Sequence, residues 1–158
     1  MPRVVLVSNR IASPEQVAQA GGVAVAIAEI QQQRAGLWLG WSVQTSEYAD
    51  DTLDVHESPG GPIATLSLTT SEHRDYYLGY SNSVIWPAFH NRLDLALFEA
   101  GYFAAYCDVS EKFARALKRL LKPDDVIWVH DYHFIMLAEA LRRLDVRNPI
   151  GFFLHIPF

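Results

Sequence analysis

Residues 126–154 read VIWVHDYHFIMLAEALRRLDVRNPIGFFL, and this stretch decides the fold class. Its first four residues are an unbroken run of β-branched and aromatic side chains, which predicts a buried strand. Residues 134–143 follow with a helical pattern, and a second apolar run over 150–154 predicts another strand. Strand, helix and strand in this order are typical of a parallel sheet.

The N-terminal part of the chain has the same order of elements. Residues 4–7 predict a buried strand, 22–33 a helix with apolar residues at helical spacing, and 37–41 a second strand. Because strands alternate with helices and each strand is a continuous apolar run, we predict an α/β fold. Its parallel sheet should carry helices on both faces.

The elements between these two units are less regular. Residues 54–56 and 63–68 flank a Pro-Gly-Gly-Pro turn and predict either a hairpin or two separate strands. Ser71 is the predicted N-cap of a helix that ends near Tyr80. A longer helical pattern covers 95–121, with a break expected near Cys107 and Asp108.

Composition excludes several classes of protein. Thirteen basic and eighteen acidic residues give a net charge of −5, and no basic block is present, so nucleic acid is not an expected partner. The apolar runs fall far short of the roughly 20 residues that a membrane helix needs, and no apolar signal region follows Met1, so no membrane partner is expected. The single Cys107 excludes an internal disulfide and a multi-cysteine zinc site. These features fit a cytoplasmic protein.

Polar side chains follow three of the predicted strands. The first strand leads to Arg10, and the later two lead to His130-Asp131 and to His155. Ligands of open parallel sheets bind outside the carboxyl ends of the strands, where Arg binds phosphate, Asp accepts from hydroxyls and His transfers protons. Each position alone could be an ordinary polar loop, but the three together favour a binding site.

Gly21 and Gly22 stand at the start of the predicted helix over 22–33. Glycines here let a ligand approach the backbone, and the free N–H groups of a helix N-terminus attract anions. The dinucleotide fingerprint G-x-G-x-x-G and the P-loop are both absent. A plain turn explains the glycine pair about as well.

Aromatic side chains cluster in residues 76–90, which include Tyr77 and Trp86. Flat aromatic rings stack on sugar rings, but from the residues alone core packing is the favoured interpretation. His130, Asp131 and His133 are candidate metal ligands, yet the first two are adjacent at a strand end and their side chains diverge. No metal site is therefore expected. Cys107 is expected to be a small buried apolar side chain.

Seven motifs carry a resemblance to a known family. In chain order they are Val-Ser-Asn-Arg (7–10), Ala-Gly-Gly (20–22), Trp-x-Gly-Trp-Ser (38–42), Tyr-Tyr (76–77), Asn-Ser-Val-Ile-Trp-Pro-Ala-Phe-His (82–90), Val-His-Asp-Tyr-His (129–133) and Gly-Phe-Phe-Leu-His-Ile-Pro-Phe (151–158). Together they resemble the N-terminal part of the trehalose-6-phosphate synthases. That family consists of retaining glycosyltransferases with two Rossmann-like domains, the GT-B fold.

The resemblance implies transfer of glucose from a nucleoside diphosphate glucose, usually UDP-glucose, to glucose 6-phosphate, without a metal or cofactor. It implies acceptor-binding roles for Arg10 and Trp41 near the phosphate and for Tyr77, Trp86 and Asp131 around the sugar. It implies donor-binding roles for Gly22 with its neighbour Gly21 and for His155, which faces the donor glucose as the catalytic candidate. The aromatic residues Tyr77 and Trp86 thereby become site candidates.

The family transfers glucose on one face of the sugar without a covalent intermediate, and the departing diphosphate helps to take the proton of the acceptor hydroxyl. Catalysis then consists mainly of positioning and charge stabilisation. The chain departs from the family pattern at Val23, where Leu is common, and at Asn91, where an aromatic residue can follow His90.

The resemblance also implies a domain organisation. Residues 1–158 are expected to form an incomplete N-terminal, acceptor-side domain, with the nucleotide-sugar domain absent from this chain. The chain alone should be inactive, and the full-length enzyme could form a homo-oligomer. Two alternatives stay open: a non-catalytic sugar-phosphate-binding or regulatory relative, and another Rossmann protein such as a nucleotide-dependent oxidoreductase.

Overall fold

The computed structural model describes residues 2–11, 36–48 and 51–157. Six strands form one sheet: β1 (Val4–Arg10), β2 (Leu37–Ser46), β3 (Asp54–His56), β4 (Ile63–Thr69), β5 (Val126–His130) and β6 (Ile150–Phe153). Their order across the sheet is β3-β4-β2-β1-β5-β6. All neighbours pair in parallel except β3 and β4, which are antiparallel. The predicted parallel sheet is confirmed, and residues 54–69 resolve into the hairpin.

The helices lie between the strands. They are α1 (Thr70–Glu72), a π-helix (His73–Ile85), α2 (Trp86–Phe89), α3 (Tyr102–Leu120) and α4 (Leu137–Arg143), with 3-10 turns at Leu93–Leu95 and Tyr132–Phe134. The first three follow one another without interruption. No helix in these described ranges is long and apolar enough to cross a membrane.

The helical run after β4 starts earlier and ends later than the sequence predicts. Its N-cap is Thr69 rather than Ser71: the Thr69 hydroxyl accepts from the Glu72 N–H at 3.0 Å, and the Glu72 carboxylate accepts from the Thr69 N–H at 2.7 Å. These two bonds form a capping box. The run continues past Tyr80 to Phe89, and within it Gly79 packs closely on α3, where an added Cβ would lie 2.8 Å from the Tyr102 ring.

Two other helix predictions need correction. The pattern over 95–121 becomes a helix only from Tyr102, since Gly101 before it adopts a φ of 97°, which a glycine reaches without strain. The expected break near Cys107 is wrong, because α3 continues through this half-buried residue with Tyr106 and Val109 buried on either side. The helix predicted over 134–143 divides into the second 3-10 turn and α4.

The main core lies on one face of the sheet, beneath the π-helix, α3 and α4. Its fully buried side chains include Val5, Leu39, Leu68, Phe113, Leu117 and Ile127. Leu6 and Trp38 form a smaller cluster on the opposite face, as the alternation of side chains along a strand requires. The helix predicted for 22–33 lies outside the described residues.

One buried carboxylate connects the starts of the central strands. Asp125 directly precedes β5 and accepts two hydrogen bonds from the Arg3 guanidinium, at 3.0 and 2.6 Å, and one from the Lys122 N–H at 2.7 Å. Burial alone would raise the pKa of this carboxyl group. The hydrogen bonds and positive charges of Arg3 and Lys122 outweigh burial, so the pKa lies below its ordinary value.

We expect Asp125→Asn to lower the free energy of unfolding at neutral pH by roughly 1.5–3 kcal/mol, because charge-assisted hydrogen bonds are lost. Since the folded-state pKa is depressed, this stabilisation is present above the unfolded pKa of about 3.9 and disappears as the pH falls further. Denaturant unfolding measured from neutral to acidic pH should show the two proteins converging below about pH 3.9.

The matched control is Asp145→Asn, which removes the carboxylate of an exposed ion pair with Arg147. It should leave stability nearly unchanged. Equal losses in both variants would contradict the role given to Asp125.

Candidate functional site

The candidate site lies where the order of the parallel strands changes sides across the sheet. β1 is central, β2 lies on one side of it and β5 on the other, so a crevice opens beyond the carboxyl ends of β1 and β5. Arg10 ends β1, Asp131 follows β5, and His155 follows β6. The topology therefore brings the three predicted strand ends to the same edge of the sheet.

Asp131 is the most constrained residue of this edge. Its φ of 76° and ψ of 168° belong to a region that is nearly exclusive to glycine and costs about 1–3 kcal/mol. The Asp131 N–H donates to the Phe153 carbonyl at 2.7 Å. Its Oδ1 accepts from the N–H groups of Tyr132 at 3.0 Å and His155 at 3.3 Å. Oδ2 has no hydrogen bond to any described residue, so it is available to a ligand.

A row of five rings borders the crevice, and we call it the aromatic row. In order the rings are Trp41, His73, Tyr77, His133 and Tyr132, with successive centroids 5.1, 5.4, 5.7 and 4.0 Å apart. It brings together two predicted site residues, Trp41 and Tyr77, whose own centroids are 5.8 Å apart.

Arg10 lies against this row. Its Cα pairs with that of Trp41 across β1 and β2. Burial lowers the pKa of His133 to about 3, and the Arg10 charge adds to the shift. Burial raises the pKa of Tyr132, and the Arg10 charge opposes that rise. The exposed Arg10 is thus close enough to two buried, uncharged rings for its charge to act on both.

A bulge in β2 orients Trp41. Between Trp41 and Thr45, β2 advances four residues while its partner β4 advances two, from Leu66 to Leu68. Within this bulge Val43 has a φ of 67°. A β-branched residue in this left-handed region is strained. The Trp41 indole N–H donates to the Gln44 carbonyl at 2.8 Å, which closes the bulge and holds the indole beside Arg10.

Trp86 stands apart from the aromatic row. The residue is 41% exposed, and its ring stacks on His90 with a centroid distance of 3.9 Å. Among the described residues, no ring contact joins it to the other predicted site residues. It lies on α2, at the end of the helical run that carries Tyr77.

Sequence reasoning missed His73 and Tyr132 as residues of this edge, and it considered His133 only as a metal ligand. His73 precedes Tyr77 by four positions on the π-helix, and this spacing could have pointed to it. The Tyr132 hydroxyl donates a hydrogen bond to Asn82 Oδ1 at 2.9 Å. His133 is buried with neither ring nitrogen hydrogen-bonded to any described group, which only the tertiary structure reveals.

The two remaining imidazoles lie on the β6 side of the crevice. His130 Nδ1 is 3.0 Å from His155 Nε2. Burial lowers the pKa of His130 to about 4, and His155 adds to the shift. Within the described part of the chain, no three His, Cys, Asp or Glu side chains are grouped closely enough to share a metal ion.

Residues 4–158 match the sequence model of one protein family, Glycosyltransferase family 20. The chain belongs to glycosyltransferase family 20.

Named relatives of the family are similar over the whole chain. A trehalose-6-phosphate synthase from Sodalis glossinidius is 47% identical over all of this chain and 34% of its own length. The crystal structure of an α,α-trehalose-phosphate synthase (UDP-forming) from Burkholderia vietnamiensis superposes with a TM-score of 0.94 at 46% identity, covering 100% of this chain and 35% of that one. A Burkholderia xenovorans enzyme solved in complex with glucose-6-phosphate gives a TM-score of 0.90 at 42% identity, covering 99% and 34%.

The family assignment confirms the resemblance and the fold class that the motifs predicted. The sheet and helices match the N-terminal Rossmann-like domain of these GT-B enzymes. This chain spans about a third of the length of its relatives. Gly21 and Gly22, the predicted donor-binding glycines, lie outside the described residues. The roles given to the other site residues stay predictions.

The buried imidazoles lead to a pH prediction. Between the folded pKa of His133, about 3, and the unfolded value of about 6.5, only the unfolded chain binds the proton. The free energy of unfolding therefore decreases as the pH falls below about 6.5, by roughly 2 kcal/mol for this group near pH 5. His133→Phe should remove that part of the pH dependence in denaturant unfolding.

His56→Phe on β3 is the control, because His56 is exposed. It should leave the pH dependence of stability unchanged. The burial argument for His133 fails if His133→Phe loses as much stability on acidification as the parent chain.

Proposed function

We propose that the protein carrying this chain is a retaining glucosyltransferase. It transfers glucose from a nucleoside diphosphate glucose, with UDP-glucose the expected donor, to glucose 6-phosphate and forms α,α-trehalose 6-phosphate. The observation that carries the proposal is that Arg10, the aromatic row and an Asp131 oxygen without a hydrogen bond to any described residue lie at one crevice. The names of the relatives, including the UDP-forming enzyme, support the same reaction.

The acceptor side can be derived from these residues. The planar guanidinium of Arg10 suits two oxygens of the acceptor phosphate, and its charge is permanent. Trp41 lies beside it, and the half-buried ring of Tyr77 adds apolar surface for the sugar. Asp131 Oδ2 accepts a hydrogen bond from a sugar hydroxyl, because Oδ1 is already occupied by two backbone N–H groups. Trp86 lines the outer part of the acceptor site.

The donor side involves His155 and the glycine pair. In this proposal His155 faces the donor glucose as the catalytic residue, and Gly21 and Gly22 approach the donor diphosphate. The acceptor hydroxyl attacks the anomeric carbon from the face that the diphosphate leaves, and a leaving-group oxygen takes the hydroxyl proton. The protein then contributes orientation and stabilisation of the leaving charge.

We also propose that residues 1–158 are an incomplete acceptor-side domain and that the nucleotide-binding domain lies outside this chain. The relatives are about three times as long, and their second domain is expected to hold the groups that clamp the donor diphosphate. The single cysteine fits a cytoplasmic location.

The domain proposal predicts that the chain alone forms no trehalose 6-phosphate from UDP-glucose and glucose 6-phosphate. Joining it to the C-terminal two thirds of the Burkholderia vietnamiensis relative gives a protein that we call the chimera. The chimera should form the product, measured by UDP release and by mass spectrometry. Product formed by the chain alone would contradict the domain proposal. A folded chimera without product would contradict the proposed reaction.

The acceptor site predicts the effect of Arg10→Ala in the chimera. Loss of a charge-assisted phosphate contact costs about 1.5–3 kcal/mol, so the KM for glucose 6-phosphate should rise about tenfold or more. The KM for UDP-glucose should stay close to that of the parent. Steady-state kinetics with each substrate varied in turn measures both values.

Arg147→Ala is the matched control, since Arg147 is an exposed arginine paired with Asp145 on the surface. It should change neither KM. An unchanged KM for glucose 6-phosphate in Arg10→Ala would reject the phosphate role of Arg10.

A further inference from the structure

His130 forms a hydrogen-bonded pair with His155 at the edge of the crevice. His130 ends β5 and is only 2% exposed, while His155 follows β6. His130 Nδ1 and His155 Nε2 are 3.0 Å apart, with ring centroids 5.3 Å apart and planes inclined by 23°. The centroid separation exceeds the nitrogen–nitrogen distance by about two ring radii. The rings therefore meet edge to edge, as an in-plane N–H···N bond requires.

The surroundings of His130 decide which ring donates. In two neutral imidazoles, one of the facing nitrogens carries the proton and the other accepts. The second nitrogen of His130, Nε2, is buried and has no partner among the described residues. A proton on Nε2 would leave a buried N–H donor unsatisfied, which proteins tolerate less well than an unused acceptor. The proton of His130 is therefore on Nδ1, and Nδ1–H donates to His155 Nε2.

This arrangement dictates the state of His155. Since its Nε2 accepts from His130, the neutral His155 ring carries its own proton on Nδ1. Its backbone is held as well, because the His155 N–H donates to Asp131 Oδ1 at 3.3 Å. Two consecutive residues at the end of β5 thus hold both the main chain and the ring of His155.

We propose that His130 is a positioning residue that fixes His155 as the Nδ1–H tautomer, so that this ring presents a hydrogen-bond donor to the sugar nucleotide. The inference rests on the proposed function, which places the donor glucose against His155. An Nδ1–H group donates to a hydroxyl or phosphate oxygen and does not accept a proton. His155 then binds and orients the donor, and proton removal from the acceptor hydroxyl falls to the leaving diphosphate.

Burial supports this assignment from a second direction. It lowers the pKa of His130 to about 4, and His155 adds to the shift, so His130 is neutral at physiological pH. A neutral ring has one N–H group, and the buried side of His130 offers no described acceptor for it. The Trp128 ring packs beside the imidazole, with its centroid 5.0 Å from that of His130.

The first test reads the tautomer in the 158-residue chain itself. Long-range proton–nitrogen NMR spectra of the ¹⁵N-labelled histidines should show His155 protonated on Nδ1 and bare on Nε2 at mildly basic pH. His130→Phe should convert His155 to the Nε2–H tautomer that free histidine prefers in water. An Nε2–H tautomer of His155 in the parent chain would overturn the proposal.

The second test measures kinetics in the chimera. His130→Phe removes the donor and should lower kcat by about tenfold or more, the size of one lost hydrogen bond to a reacting complex. The KM for glucose 6-phosphate should stay within about twofold, because the acceptor site is not altered. His130→Asn keeps a polar group near the position of Nδ1 and should recover most of kcat. If His130→Phe does not fold, the kcat of His130→Asn is compared with that of the parent chimera instead.

His56→Phe, an exposed histidine on β3, is the matched control and should leave kcat unchanged. Full kcat in a folded His130→Phe chimera would overturn the positioning role, and so would a loss in His130→Asn as large as that in His130→Phe. A parent chimera without product would contradict the proposed function instead. In that case the NMR comparison of the parent chain with His130→Phe would still show whether His130 determines the tautomer of His155.

Discussion

The site depends on the anchored backbone of Asp131. This residue occupies a conformation that nearly all residues other than glycine avoid, at a cost of about 1–3 kcal/mol. Three hydrogen bonds offset the cost, since its N–H donates to Phe153 and its Oδ1 accepts from Tyr132 and His155. The bonds with Phe153 and His155 join the loop after β5 to the end of β6, and the bond from Tyr132 lies within the loop after β5. Removing the carboxylate would break the bonds from Tyr132 and His155 and remove the proposed contact to the acceptor, while the backbone bond to Phe153 would remain.

Burial determines the charge of the crevice. His130 and His133 lie inside the protein and remain uncharged at physiological pH, because moving a charged imidazole out of water is unfavourable. The permanent positive charge at the end of β1 is therefore that of Arg10, which stands beside flat, neutral rings. A sugar phosphate needs both features, a fixed cation for the phosphate and apolar faces for the ring. The same burial favours one tautomer of His130, with its proton on Nδ1. Because that N–H donates to His155 Nε2, it also determines which nitrogen of His155 carries a proton.

The strands could be located because their signal is local. Apolar runs such as 4–7 and 126–129 need no information from the rest of the chain, but β1 continues through the polar residues up to Arg10 because its backbone still pairs with β2 there. Helix boundaries depend on packing instead. The run after β4 reaches Phe89 and packs on α3 through the contact of Gly79 with the Tyr102 ring, which joins residues on different elements. For the same reason the capping box at Thr69 was missed: Ser71 is an equally good cap by residue type, and the reach of the Glu72 side chain back to Thr69 decides between them.

By itself the sequence determined the α/β class, the parallel strand order within each unit, the family, and the residue types at the ends of β1, β5 and β6. These properties follow from local hydrophobic patterns and from motifs that stand in a fixed order along the chain. Only the tertiary structure decided which side chains meet. The aromatic row draws its rings from β2, the π-helix and the turn after β5, and the pair of His130 with His155 spans 25 residues. Such contacts, and the burial that sets the charge of each imidazole, depend on how strands far apart in sequence lie side by side, which no local pattern specifies.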